Sequence, residues 1–214
     1  MSTDVRIGTH PVVIVRPESS EALIDEAEFE RDERLPYWAE LWPSALALAS
    51  HLVSLDGPGR SLLELGCGVG LVATAASLAE FDVTATDYYA DALRFTSLNV
   101  ARNTGREPRV REIDWRALPS DLGRFDVVVA SDVLYERHYP ALIAEVVART
   151  LSPRGMALIG DPGRIAAPEF PGECDARGLA IRERTRVPFT EGEIRQTIDI
   201  VRVGWRTGGV GEPE

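Results

Sequence analysis

Three glycines at alternate positions, Gly66, Gly68 and Gly70, follow the run Leu62-Leu63-Glu64-Leu65 and lead into Leu71 and an Ala-rich stretch. A strand that breaks into glycines before a helix lets backbone come close to a ligand. A dinucleotide fingerprint spaces its glycines as G-x-G-x-x-G, and here the third falls one position early. Glu64 adds a carboxylate two residues ahead of the first glycine, which would repel a pyrophosphate and attract an ammonium. A ligand bearing an amino acid suits the turn better than a dinucleotide. Asp87 closes the next apolar run, Val83 to Thr86, and so puts a second carboxylate at the neighbouring strand end, within reach of ribose hydroxyls. The pair reads as a nucleoside grip. Cys67, inside the turn, fills a place that needs a small residue and carries no expected redox role.

The elements that must position these groups alternate. Strands are expected at Ser61–Leu65, Asp82–Thr86, Arg109–Ile113, Phe125–Ala130 and Met156–Ile159, with helices at Leu71–Ala79, Ala90–Arg102 and Pro140–Leu151. An Ala/Leu-rich helix precedes them and stops at Gly57-Pro58-Gly59. Near-continuous apolar strands alternating with helices imply an α/β, doubly wound parallel sheet covered on both faces. Toward the end, Leu179–Pro188 and Gln196–Trp205 alternate branched apolar residues with Arg, Thr and Asp, as two antiparallel strands do. Residues 1–34 read as an N-terminal arm containing a β-like stretch, Val12–Val15, and an acidic segment, Glu18–Glu33. Residues 35–206 form the main domain, and 207–214 a Gly/Pro/Glu-rich tail.

Composition narrows the function classes. The 214 residues carry 34 acids against 23 bases, a formal charge of −11, so the mean field opposes phosphate backbones and anionic membranes. Nucleic-acid and membrane partners are not expected. No apolar run approaches the ~20 residues of a membrane span, and Met1–His10 lacks the features of a signal peptide, so a cytoplasmic location is expected. Cys67 and Cys174 are far apart, as are His10, His51 and His138, and no metal site is expected from them. All 23 bases are Arg.

At the level of motifs the chain resembles the class I, seven-β-strand S-adenosylmethionine-dependent methyltransferases. Glu64 to Gly70 matches their acid-x-Gly-x-Gly-x-Gly motif, and Asp87 matches their second acid. The resemblance implies a Rossmann-like methyltransferase fold of seven strands in the order 3-2-1-4-5-7-6, strand seven antiparallel, and S-adenosyl-L-methionine as cofactor. It implies that Gly66, Cys67 and Gly68 line the methionine and ribose part, with Gly70 also counted among the cofactor-binding residues, that Asp87 binds the ribose diol, and that Tyr88, Asp114 and Trp115 frame the adenine. After the fourth strand, Ser131-Asp132-Val133-Leu134-Tyr135 lacks the prolines of an Asn/Asp-Pro-Pro-Tyr motif. Its Asp-x-x-Tyr is similar to that of the family 16 protein-lysine methyltransferases, and in particular of the electron-transfer-flavoprotein β-subunit group. Pro36-Tyr37-Trp38-Ala39 with Trp42-Pro43, and Ile159 to Arg164, point to the same branch. That likeness puts Trp42 and Ser131 against the cofactor and Asp132 with Tyr135 at the acceptor amine. The nearest group continues Trp-Pro with Gly-Gly where this chain has Ser44-Ala45.

A lysine amine has a pKa near ~10.4 in water and must lose a proton before it can attack a methyl group. Asp132 would orient the arriving ammonium yet also favour its charged form, so it is expected to orient while water takes the proton. Asp161 and Arg164 read as a turn with a local ion pair. The acceptor stays open between a protein lysine and a small amine, the latter with Glu18–Glu33 as a lid, and a non-catalytic cofactor-binding scaffold is the further alternative. Oligomeric state is left open.

Overall fold

A computed structural model describes residues 1–19 and 36–206. The proposed lid from Glu18 to Glu33 lies, beyond its first two residues, outside the described residues, and so does the tail from 207. Two N-terminal strands, β1 (Ser2–Ile7) and β2 (His10–Val15), form an antiparallel hairpin. Helix α1 spans Pro43–Leu52, with Pro43 in the first turn where its missing N–H costs nothing. Then follow β3 (Ser61–Leu65), α2 (Leu71–Leu78), β4 (Asp82–Asp87), α3 (Ala90–Thr104), β5 (Arg109–Glu112), β6 (Phe125–Ser131), α4 (Tyr139–Thr150) and β7 (Leu151–Asp161). A short helix α5 (Phe170–Asp175) leads to the long hairpin β8 (Leu179–Glu191) and β9 (Ile194–Trp205).

Strands β3 to β9 make one sheet in the order β5-β4-β3-β6-β7-β9-β8. Numbered as the sheet's own first to seventh strands this is 3-2-1-4-5-7-6, the order the family resemblance implied. β9 runs antiparallel to both neighbours, and the other pairings from β5 to β7 are parallel. The sheet is buried on both faces. Leu62, Val127, Val129 and Leu158 pack under α1, α2 and α3, while Leu63, Leu65, Val128 and Ala157 pack under α4 and α5. The chain leaves β3 toward β4 and later returns to β6 on the other side, so the loops after β3 and β6 diverge. That divergence opens the crevice in which doubly wound sheets bind ligands.

Three elements depart from the sequence expectation. β7 begins at Leu151, five residues before the expected start, and its early part is accommodated by a register shift against β6 between Phe125 and Val127. β1 and α5 were not anticipated. β1 turns Ile7 inward beside Val12 and Ile14, so this hairpin joins the core packing. Pro188 is tolerated within β8 because that strand is the sheet edge.

Two asparagines on α3 dock the hairpin. Asn99 Oδ1 accepts from the Val15 N–H at 2.8 Å, and its Nδ2 donates to the carbonyls of Val15 and Val69, each at 2.7 Å. One turn on, Asn103 pairs in the same way with Val13 N–H and C=O, at 2.9 and 3.0 Å. The helix thus offers β2 side-chain amides in place of a strand. Because Asn99 is fully buried, Asn99→Ala would strand backbone groups of Val15 and Val69 and is expected to cost about 2–4 kcal/mol. Urea denaturation measures that loss, and limited proteolysis should show faster cutting in residues 1–19.

Candidate active site

A cleft of about 170 Å³ lies at the switch point. Trp42, Glu64, Gly66, Cys67, Gly68, Asp87, Tyr88, Asp114, Trp115, Ser131, Asp132 and Tyr135 all line it. Twelve of the thirteen residues expected at the site therefore meet in one place. Gly70, the thirteenth, is not among the residues lining the cleft. Its φ is +82°, and a Cβ there would come within 2.6 Å of Thr96 Cα, so the packing of the turn on α3 requires a glycine at this position.

The turn after β3 is fixed from several sides. Cys67 N donates to Thr86 O at 2.9 Å and Gly70 N to Cys67 O at 2.8 Å. Thr96 Oγ1 reaches Cys67 Sγ at 3.2 Å and Gly68 O at 3.1 Å. Burial, with the Asp87 and Glu64 charges, pushes the Cys67 thiol well above its ordinary range, so it stays protonated and inert. Gly68 has φ +53°, and a Cβ on it would meet the Trp38 carbonyl at 2.8 Å. The 3-10 turn Tyr37–Ala39 thus lies directly against the glycine loop.

Two carboxylates face this loop in different states. Asp87 Oδ2 accepts from Gly68 N at 2.9 Å and Oδ1 from Tyr89 N at 3.1 Å. Burial raises its pKa, and these backbone donors pull it back down. Glu64 is 2% exposed, and its Oε2 is buried without a hydrogen-bond partner. Its pKa stands well above 4.5, first because of desolvation and second because of the Asp87 charge, partly offset by the Ala73 backbone donor. A buried, half-unsatisfied carboxyl costs stability unless a donor or cation reaches it. This orphaned oxygen in the cleft fits an α-ammonium group.

A group whose folded pKa is raised favours the folded state while protonated, and that contribution fades as pH rises through the folded value. Glu64→Gln is therefore expected to raise the melting temperature at pH ~7, with the gain shrinking as pH falls toward ~4.5, where the carboxyl is protonated in the unfolded chain as well as in the folded one. The same variant should bind an ammonium-bearing ligand more weakly. Thermal melts across pH, with and without ligand, check both.

The adenine-side expectations acquire a partner. Asp114 is held by Arg116 through its backbone N–H and through its guanidinium, with Nη2 to Oδ2 at 2.6 Å. Trp115 stands edge-on to Tyr139, ring centroids 5.8 Å apart, and its Nε1 is buried without a partner. At the other end, Tyr135 packs edge-on to Tyr37 at 5.9 Å and to Tyr139 at 4.9 Å. The Trp42 Nε1 donates to Tyr37 O at 3.0 Å, closing an aromatic wall.

Asp132 has φ +59°, a left-handed conformation that Asp tolerates better than most residues, and its N–H donates to Gly160 O at 2.9 Å. It does not cap α4, which starts seven residues later. Ser44 Oγ donates to Oδ2 at 2.6 Å and Arg164 Nε to Oδ1 at 2.5 Å. Ser44 was absent from the sequence expectation, because nothing in a first-turn serine marks it as facing a strand end eighty-eight residues away. Arg164 was expected to pair locally with Asp161. Instead, Asp161 Oδ1 accepts the backbone N–H groups of Gly163 and Arg164, and the guanidinium reaches across to Asp132. Among the described residues no group of three or more His, Cys, Asp or Glu could hold a metal ion.

This sheet order, with the cleft at its switch point, defines a Rossmann-like methyltransferase fold. The chain belongs to the lysine methyltransferase family, whose model matches residues 27–164. It is 35% identical over 112 residues to the protein-lysine methyltransferase METTL21E of Mus musculus, covering 46% of each chain. It is 34% identical over 143 residues to the electron transfer flavoprotein beta subunit lysine methyltransferase of the same species, covering 64% of this chain and 53% of that one. The chain thus spans about half the length of the curated relatives it matches. Among solved structures, a putative RNA methyltransferase from Pyrococcus horikoshii shares the fold with a TM-score of 0.63 and 18% identity, covering 81% of this chain and 89% of that one.

Proposed function

We propose that this chain transfers a methyl group from S-adenosylmethionine to a lysine amine of a protein. The observation that carries the reading is the unpartnered, buried Glu64 carboxyl oxygen in a cleft it shares with Asp87. One ligand class answers both acids: a nucleoside with an amino acid attached. Glu64 receives the α-ammonium and Asp87 the ribose hydroxyls, on a carboxylate that the Gly68 and Tyr89 amides already aim. Gly66 and Gly68 admit the ligand close to backbone, Cys67 stays small and neutral beside them, and Tyr88, Asp114 and Trp115 border the base. Trp42 and Ser131 flank the reacting end. When bound, the cofactor supplies an electrophilic methyl on a positively charged sulfur.

The chain's own residues then do the positioning. Asp132 orients the amine, Tyr135 walls its channel, and the aromatic cluster of Tyr37, Trp42, Tyr135 and Tyr139 excludes water. Holding an amine and a methyl group in line supplies up to about 7–11 kcal/mol of the barrier reduction. The lysine class of acceptor is supported by the family match and by the names of the relatives. The −11 charge favours a basic acceptor surface and disfavours nucleic acid.

Incubation with S-adenosylmethionine tritiated in the methyl group and a protein extract tests the reading. The expected result is a labelled band of defined mass whose hydrolysate contains Nε-methyllysine. Label confined to small molecules would replace the protein acceptor with a small amine, and no label in either fraction would support the scaffold alternative.

A further inference from the structure

The Asp132 side chain is 4% exposed and already holds two donors, whereas the Arg164 side chain that pairs with it is 34% exposed. The arginine is held from three directions. Asp161 clamps the turn by accepting the Gly163 and Arg164 amides at 2.7 and 2.8 Å. Trp42 lies beneath the guanidinium, whose carbon is 5.2 Å from the ring centroid. Asp132 takes Nε at 2.5 Å. A guanidinium cation is thereby fixed beside the residue expected to receive the acceptor.

That placement answers a conflict in the chemistry. A lone carboxylate beside a lysine ammonium stabilises the charged form and holds back the lone pair that transfer requires. We propose that Arg164 is a positioning residue that cancels the charge of Asp132, so that the acceptor lysine enters as the neutral amine. The inference rests on the methyl-transfer reading above. In the step, an N–H bond of the acceptor ammonium breaks and its proton leaves to water. The nitrogen lone pair then forms the bond to the methyl carbon, while the carbon–sulfur bond breaks and leaves its electron pair on sulfur. The methylated ammonium carries off the positive charge. Asp132 keeps lone pairs for the amine hydrogens, since a carboxylate offers about four acceptor sites and two are taken here.

Other charged or titratable groups face this pair. Asp161 on β7 lies behind it, with burial as the main force holding its carboxyl above the usual range. Glu136 and His138 line the cleft as a solvent-exposed pair 3.4 Å apart, so their influence is screened. Among the described residues the cleft also holds the phenols of Tyr37, Tyr135 and Tyr139 and the Glu40 carboxylate, which pairs with Arg16 at 2.8 Å.

The test uses the full chain with poly-L-lysine as acceptor probe. In Arg164→Gln the rising limb of kcat/KM against pH should move up by about one unit or more, so that a deficit of about tenfold at pH ~7.5 narrows near pH ~9.5. Arg164→Lys, which keeps a cation, should leave that limb near its wild-type position. A second readout needs no turnover: poly-L-lysine binding to the complex with S-adenosylhomocysteine, followed by calorimetry in two buffers of unlike ionisation enthalpy. Wild type should release protons on binding, and Arg164→Gln should release fewer. A deficit equal at every pH, or binding to wild type without proton release, overturns the inference, the latter even if Arg164→Gln does not fold. Proton release without any wild-type turnover would instead contradict the methyl-transfer reading, and the inference would fall with it.

Discussion

Replacing Asp87 with Ala is expected to weaken S-adenosylmethionine binding by about a hundredfold to ten-thousandfold, read by titration calorimetry. Hydrogen bonds to a charged group are each worth about 1.5–3 kcal/mol, and in the proposed complex this carboxylate receives two ribose hydroxyls. The same carboxylate fixes the loop, since Gly68 N and Tyr89 N donate to its two oxygens. Folding should survive the change. Burial raises the Asp87 pKa despite the backbone donors, so its ionised form at neutral pH is a cost to the native state that the variant relieves. A folded Asp87→Ala protein with unchanged affinity would remove the ribose assignment.

Asp132→Asn is expected to lower turnover by about a thousandfold while leaving cofactor affinity within about twofold. Asn is nearly isosteric and among the residues most tolerant of the +59° φ at this position. Its carbonyl oxygen can still accept a hydrogen bond from Arg164 or Ser44. What disappears is the charge, and with it the orientation of the acceptor. Arg164, its side chain 34% exposed, is then a cation without its counter-charge, and one carbonyl oxygen remains where the carboxylate offered two to the amine hydrogens. Single-turnover kinetics with saturating cofactor separate the two effects. Undiminished turnover would reduce Asp132 to an anchor for Arg164 and Ser44.

Much of the fold was legible because its strongest signals are local. The apolar runs at Leu62, Val83 and Val127 are strands buried on both faces, and continuous hydrophobicity is how such strands read in sequence. The glycine turn was legible as well, but not the division of labour inside it. Gly66 and Gly68 border the cleft, whereas Gly70 is dictated by contact with Thr96, a residue twenty-six positions away that no spacing rule reveals. The N-terminal hairpin was half visible. Val12–Val15 announced a strand, while the register that pairs Ser2–Ile7 with it and the asparagines that dock it depend on α3.

The acceptor end shows the same limit. Asp132 and Tyr135 were found from a four-residue pattern. The two donors that hold Asp132 come from α1 and from the turn after β7, which the sheet order brings together and sequence separation hides. Glu64 stood out two residues before the glycines, yet its missing partner is visible only once β3 is buried between β4 and β6.

A crystal structure with S-adenosylhomocysteine bound decides whether Glu64 and Asp87 hold the cofactor. The expected complex has the α-ammonium within hydrogen-bond distance of Glu64 Oε2, the ribose hydroxyls on Asp87, and the sulfur turned toward Asp132. A nucleoside lodged elsewhere, or Glu64 Oε2 still without a partner in the complex, would contradict it.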